Sequence, residues 1–224
     1  MSKRMVDLNK AVDRKKLYTI SEALEVIKAN AKAKFDETID VSINLEIDAK
    51  KTDQNVRGSL ALPHGTGRAC RVAVVAGDEK AAEAKKAGAE IVGGEDLIEK
   101  ITKGEIDFDA CIATPDLMAK MSKAARVLGP RGLMPNPKLG TVTNDVAAMV
   151  LSLKKGRVNF KNEKAGVVHA PVGKVSFSVK QLQENIEAFL AELKNAKPST
   201  VKGAYIKDMF ISSTQGVSLM FQAN

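Results

Sequence analysis

Side chains able to do catalytic chemistry are few and scattered. The chain has two histidines, His64 in PHG and His169 in VHAP, and neither has a cysteine or carboxylate at metal-ligand spacing. No GxSxG elbow supplies a nucleophile for either imidazole, and no GxxxxGK[ST] loop cradles a phosphate. GTGRAC at 65–70 resembles a dinucleotide fingerprint, but it lacks the third glycine and precedes a strand instead of opening a helix. Its glycines read better as a hinge or turn between domains. Most carboxylates lie beside lysines on helical faces, where solvation is their ordinary role. The expectation is no enzyme: no catalytic residue, no metal and no cofactor.

The remaining candidates are basic and polar, in four clusters. Lys34-Phe35-Asp36-Glu37-Thr38 lies where a helical pattern gives way to a strand. A lone Phe35 is ordinarily core filler, yet beside Lys34 and Thr38 it equally suits an RNA-contacting edge. RVNFKNEK at 157–164 reads as a hairpin with Asn162, Glu163 and Lys164 at its tip, a place where charge is usually just solvated. Ser212-Ser213-Thr214-Gln215-Gly216 sets hydroxyls beside a glycine, which closes ordinary hairpins and also lets a sugar–phosphate surface come close. The fourth cluster, GPRGLMPNPKLGTV at 129–142, holds three glycines, three prolines, Arg131 and Lys138, and no acidic residue. Each proline removes a donor and disfavours the helical region for the residue before it, so neither a helix nor a central strand is expected to run through. Such a loop is either functional or a rigid connector between two helices, and both readings stay open.

Bulk properties favour a polyanion as partner. The 224 residues carry a net charge of +8, and clustered Lys and Arg gain affinity for phosphates by releasing counterions. The opening MSKRMVDLNK has no apolar core of the kind a signal peptide needs, and no stretch is apolar enough to span a bilayer. Cys70 and Cys111 are far apart and read as reduced thiols of a cytosolic protein.

The elements that must position these residues change character twice. Thr19 to Glu22 is a capping box that opens a helix running to about Ala33. Ile39, Val41, Ile43, Leu45 and Ile47 then alternate with polar residues as a half-buried strand, with VRGSLALP (56–63) a plausible partner. From about residue 68, short apolar strands at 71–75, 89–92 and 108–114 alternate with helices at 78–87, 95–103, 116–128 and 144–155, which argues for a parallel sheet covered on both faces. From Gly156 the strand pattern returns in RVNFKN, VVHA and VSFSV. A helix follows with Leu182, Ile186, Phe189, Leu190 and Leu193 on one face, then the strand-like runs AYIKDMFISST and VSLMF. Of the nine Phe and Tyr residues only Phe108 lies in the middle segment, and the outer segments carry most of the excess positive charge. Two flanks that resemble each other more than the centre suggest a discontinuous domain with another inserted in it.

Six segments in order, AKFDET (33–38), DQNVRGSLALPHGTG (53–67), FDACIATPD (108–116), LGPRGLMPNPKLGTV (128–142), GRVNFKNEKAGVVHAPVGK (156–174) and SSTQG (212–216), resemble signatures of the bacterial ribosomal protein L-one family. This is the family of the mobile stalk beside the ribosomal exit site. The resemblance implies an α/β protein of two domains: a discontinuous α+β RNA-binding domain from residues 1–66 and 157–224, and an inserted Rossmann-like three-layer α/β/α domain at 67–156. It implies RNA contacts from Lys34, Phe35 and Thr38, from Glu163 and Lys164, and from Thr214, Gln215 and Gly216. The implied partners are 23S ribosomal RNA of the large ribosomal subunit, exit-site tRNA and the protein's own operon mRNA. No membrane is implied, and the protein would be cytoplasmic, on the ribosome, and a monomer off it. In the last motif the family usually has methionine where this chain has Gln215, whose amide needs partners if buried. A nucleotide-binding enzyme and a generic RNA chaperone are the competing readings. The misplaced glycines and missing P-loop disfavour the first, and the second predicts binding to any RNA alike.

Overall fold

Thr19 ends the short strand β1 (Tyr18–Thr19) and caps α1 (Ile20–Asn30): its hydroxyl accepts from the Glu22 amide while the Glu22 carboxylate accepts from the Thr19 amide. The computed structural model describes residues 5–6, 8, 12–13, 16–201 and 203–222, apart from the side chains of Thr52, Asp78 and Lys138. Most of the opening MSKRMVDLNK lies outside the described residues. The chain divides into two compact units, Met1–Gly67 with Val158–Asn224, and Arg68–Arg157.

In the first unit, β2 (Thr38–Leu45) realises the period-two pattern, with Ile39, Val41, Ile43 and Leu45 buried and the residues between them half-exposed. It is flanked antiparallel by β8 (Val167–Lys174) and β9 (Ile206–Ser213) in a sheet of order β1-β10-β9-β2-β8, where β10 is Leu219–Gln222. The buried faces of α1 and of α7 (Val179–Asn195) join these strands in one core.

Two expectations are corrected here. VRGSLALP does form a strand, β3 (Arg57–Ala61), but its partner is β7 (Arg157–Lys161) in a separate two-stranded sheet, not the alternating strand. The reason is local packing. A Cβ on Gly58 would lie 2.5 Å from the Phe160 ring, which stands edge-on to Phe189 of α7 at 5.4 Å. Only a bare backbone fits over that ring. VSFSV is the second correction: β8 ends at Lys174, and Ser178 with Gln181 forms a capping box that starts α7. Two orphan amides satisfied at once outweigh the weak alternation of five residues.

The second unit has a parallel sheet of order β5-β4-β6, from β4 (Val72–Val75), β5 (Ile91–Gly93) and β6 (Ala110–Ala113). A parallel bridge between Ala113 and Val142 extends it. Helices α2 (Asp78–Lys86) and α6 (Val146–Lys154) share one core with the strands, and α3 (Glu95–Lys103) shares a second with the segment 115–128. That segment is not the single helix expected at 116–128. It runs as α4 (Pro115–Met121), a 3-10 turn at Ser122–Ala124, and α5 (Ala125–Leu128). The Ser122 hydroxyl donates to the Ala119 carbonyl at 2.7 Å, a local back-bond of the kind that bends helices.

Candidate nucleic-acid interface

Glu37 organises the site. The residue is 1% exposed, and its carboxylate accepts from the Ala33 amide at 3.3 Å, the Ser213 hydroxyl at 2.8 Å and the Gln215 amide at 3.0 Å. A buried carboxylate is tolerated only with such donors, so the segment after α1 and the turn after β9 are tied to one charged group. Beside it, the Thr38 amide donates to the Thr214 hydroxyl at 2.9 Å and the Thr214 amide donates to the Thr38 carbonyl at 3.0 Å. Lys174 donates to the Thr38 hydroxyl at 2.8 Å, and the Asp36 carboxylate accepts from the amide and hydroxyl of Ser176. The Gly216 amide closes the turn on the Ser213 carbonyl at 3.0 Å.

On this frame Lys34 and Phe35 face outward. Phe35 is 51% exposed, which rules out the core-filler reading. Gln215 is exposed too, so its amide needs no buried partner. Six of the eight candidate residues, Lys34, Phe35, Thr38, Thr214, Gln215 and Gly216, therefore meet at one end of the sheet.

Glu163 and Lys164 do not join them. They are exposed in the turn between β7 and β8, closed by the Gly166 amide on the Glu163 carbonyl at 3.0 Å. Thr38 pairs with Lys174 at one end of the β2–β8 ladder and Asn44 with Val167 at the other. At roughly 3.3 Å per residue the turn lies about 20 Å from Thr38.

Between the two ends, β2 sets out Asp40, Ser42 and Asn44, a face that inspection of the sequence did not single out. The Ser42 hydroxyl and His169 Nδ1 are 2.9 Å apart, and Asn44 donates to Asp208 at 3.3 Å. Partial burial holds the Asp40 carboxyl above its usual range, against the pull of His169 and Lys174. Ser42, His169 and Asp40 do not form a catalytic triad. In a triad a carboxylate orients the imidazole through Nδ1 and the hydroxyl sits on Nε2, whereas here Ser42 occupies the Nδ1 side. The period-two pattern already placed these residues on one face, and only the identity of the strands opposite was missing.

The other candidates lie outside this interface. His64 pairs with Glu184, whose carboxyl that hydrogen bond draws below its usual range. Cys70 and Cys111 are free thiols, and burial pushes that of Cys111 up to about 12. Gly65 and Gly67 both take φ near +69° ahead of β4, away from any helix start. In the 129–142 loop the Asn136 amide donates to the Thr141 hydroxyl at 2.7 Å, and Leu133 and Met134 pack on the core shared with α3. Among the described residues no group of three or more His, Cys, Asp or Glu could hold a metal, and no helix is long and apolar enough to cross a membrane.

A family model described as the ribosomal protein L1p/L10e family matches residues 27–217, from within α1 to just past the SSTQG turn. The chain belongs to that family. Every candidate residue lies inside the match. As a member of the L1p/L10e family it is a large-subunit ribosomal protein that binds ribosomal RNA, and the family is structural, not enzymatic.

Proposed function

We propose that this L1p/L10e protein binds the stalk region of 23S ribosomal RNA through the end of the sheet framed by Glu37, with Glu163 and Lys164 as a second, outlying contact. The observation that carries the reading is Phe35, half-exposed on a backbone held rigid on both sides. An aromatic platform flanked by Lys34, Thr38 and a glycine-closed turn suits a structured RNA, read by shape, stacking and 2′-hydroxyls. On this reading the protein also takes part in releasing deacylated tRNA from the exit site. It represses translation of its own operon mRNA by binding a similar RNA structure, and it is a monomer off the ribosome. Residues 1–66 with 157–224 act as the RNA-binding domain and 67–156 as an inserted one, bounds within one residue of the two compact units.

The test is binding to a stalk-helix fragment against a scrambled duplex of equal length over a salt series. The stalk preference should persist as salt rises, and Phe35→Ala should weaken stalk binding by about 1–3 kcal/mol, the usual worth of a stacked base. Stability should move by less than about 0.5 kcal/mol, because the ring is exposed. Equal, steeply salt-dependent binding to both RNAs, or a Phe35→Ala variant of unchanged affinity, would sink the reading.

A further inference from the structure

The second unit is polarised in charge. Residues 117–144 hold five Lys and Arg and no Asp or Glu, while all 12 carboxylates of 68–155 lie outside that stretch, beside nine Lys and Arg. A surface serving only solubility mixes its signs, so a 28-residue stretch of one sign asks for a different account.

The structure turns this stretch into a stripe. Along α4, the 3-10 turn and α5, Met121, Ala124 and Leu128 are fully buried, and Lys120, Lys123 and Arg126, three residues apart, are exposed on the opposite side. Lys120 is taken up by Glu95 of α3, and Lys123 bears on the same carboxylate. Arg126 and Arg131 have no hydrogen bond or ion pair among the described residues. Arg131 stands in the turn that follows α5, where the Gly132 amide donates to the Gly129 carbonyl at 3.0 Å. Gly132 takes φ +71°, and a Cβ there would meet nothing within 4 Å. The tip is thus backbone with one guanidinium, fixed below by Pro130 and by the Leu133 amide on the Leu128 carbonyl. Compensation of a helix dipole does not explain it, because α5 has four residues and two unpaired guanidiniums beside it.

We infer that Lys123, Arg126 and Arg131 form a second RNA-binding surface, separate from the Phe35 site, that grips an A-form RNA segment by its phosphates. No exposed large apolar side chain lies in the stretch to anchor a membrane. The exposed face also lacks aromatic side chains for stacking on bases, so the surface takes backbone without reading sequence. RNA is the polyanion an L1p/L10e protein works against, and Arg is suited to bidentate phosphate contacts.

The full-length protein tests this with a mixed-sequence RNA duplex of about 16 base pairs, long enough to span successive grooves. Lys123→Ala, Arg126→Ala and Arg131→Ala are combined and compared with a control of equal charge loss on the same unit, Lys85→Ala, Lys86→Ala and Lys103→Ala. Both sets are exposed, and thermal melting checks that both variants fold. The stripe variant should bind the duplex about tenfold more weakly at 0.1 M salt, with a log–log salt slope shallower by about two. The control should change far less, and stalk-fragment affinity should stay within about twofold in both. Equal shifts for the two triple variants would overturn the inference, leaving only net charge. Poly-glutamate of matched charge displacing the duplex as well as RNA does would overturn the choice of RNA. If Phe35→Ala leaves stalk binding unchanged, the stalk-site reading fails and this one is untouched.

Discussion

Ser213 leaves no room for a side chain at position 216. A Cβ on Gly216 would come 2.4 Å from the Ser213 hydroxyl, the same hydroxyl that donates to the buried Glu37 carboxylate. Gly216→Ala must therefore push that donor off Glu37, and urea denaturation should show a loss of about 1–3 kcal/mol, as for other overpacked sites. In a Ser213→Ala background the clash is gone, and the added cost of Gly216→Ala should fall by at least about 0.5 kcal/mol. Additive losses would show that the two residues do not compete. At this scale the outward chemistry was legible: Lys34, Phe35, Thr38 and Gln215 stand out by type. Glu37 was not, because a Glu between Asp and Thr in a charged stretch reads as solvated. Its burial depends on donors 176 and 178 residues away in the chain, and no local pattern carries that.

Elements were legible where a single period ruled and misread where two local signals competed. The alternation at 39–45 and the apolar face of α7 came through. VSFSV was misread because Ser178 and Gln181 carry a cap signal that alternation obscured. The partner of VRGSLALP was misread because Gly58 answers to a ring at position 160. Asn185 is the polar exception on the buried face of α7. At 0% exposure, its side-chain carbonyl accepts from the His64 amide at 3.1 Å, and its amide donates to the Gly65 carbonyl at 3.1 Å and the Val172 carbonyl at 2.8 Å. It ties the segment 64–65 to helix and sheet together. Asn185→Ala leaves these backbone groups without that partner, and denaturant unfolding should register a loss of about 2–3 kcal/mol. A loss below about 0.5 kcal/mol would mean water replaces the amide without cost.

Across the whole molecule, the cores respect the division into units. One core draws only on residues before 68 and after 157, and the other two lie wholly between. Deleting 68–157 and joining Gly67 to Val158 through a short Gly/Ser linker should leave a protein that unfolds cooperatively in urea. Its m-value should be smaller, because less surface is exposed on unfolding. A broad, non-cooperative transition would show that the outer unit needs the inner one. The division left its trace in the sequence through aromatic content, charge and hydrophobic period.

The central strand β2 lies between β8 and β9, both supplied by the far segment of the chain. That arrangement sets an order of events during synthesis. The inner unit is contiguous and can close as soon as residue 157 has emerged, whereas β2 must wait for both neighbours. The two halves of the Glu37 frame are made some 176 residues apart, so the interface cannot exist on a growing chain until Ser213 to Gly216 have been added. On the proposed reading a nascent chain is silent towards RNA at this site, and competence arrives in one step, late, with the turn that completes it.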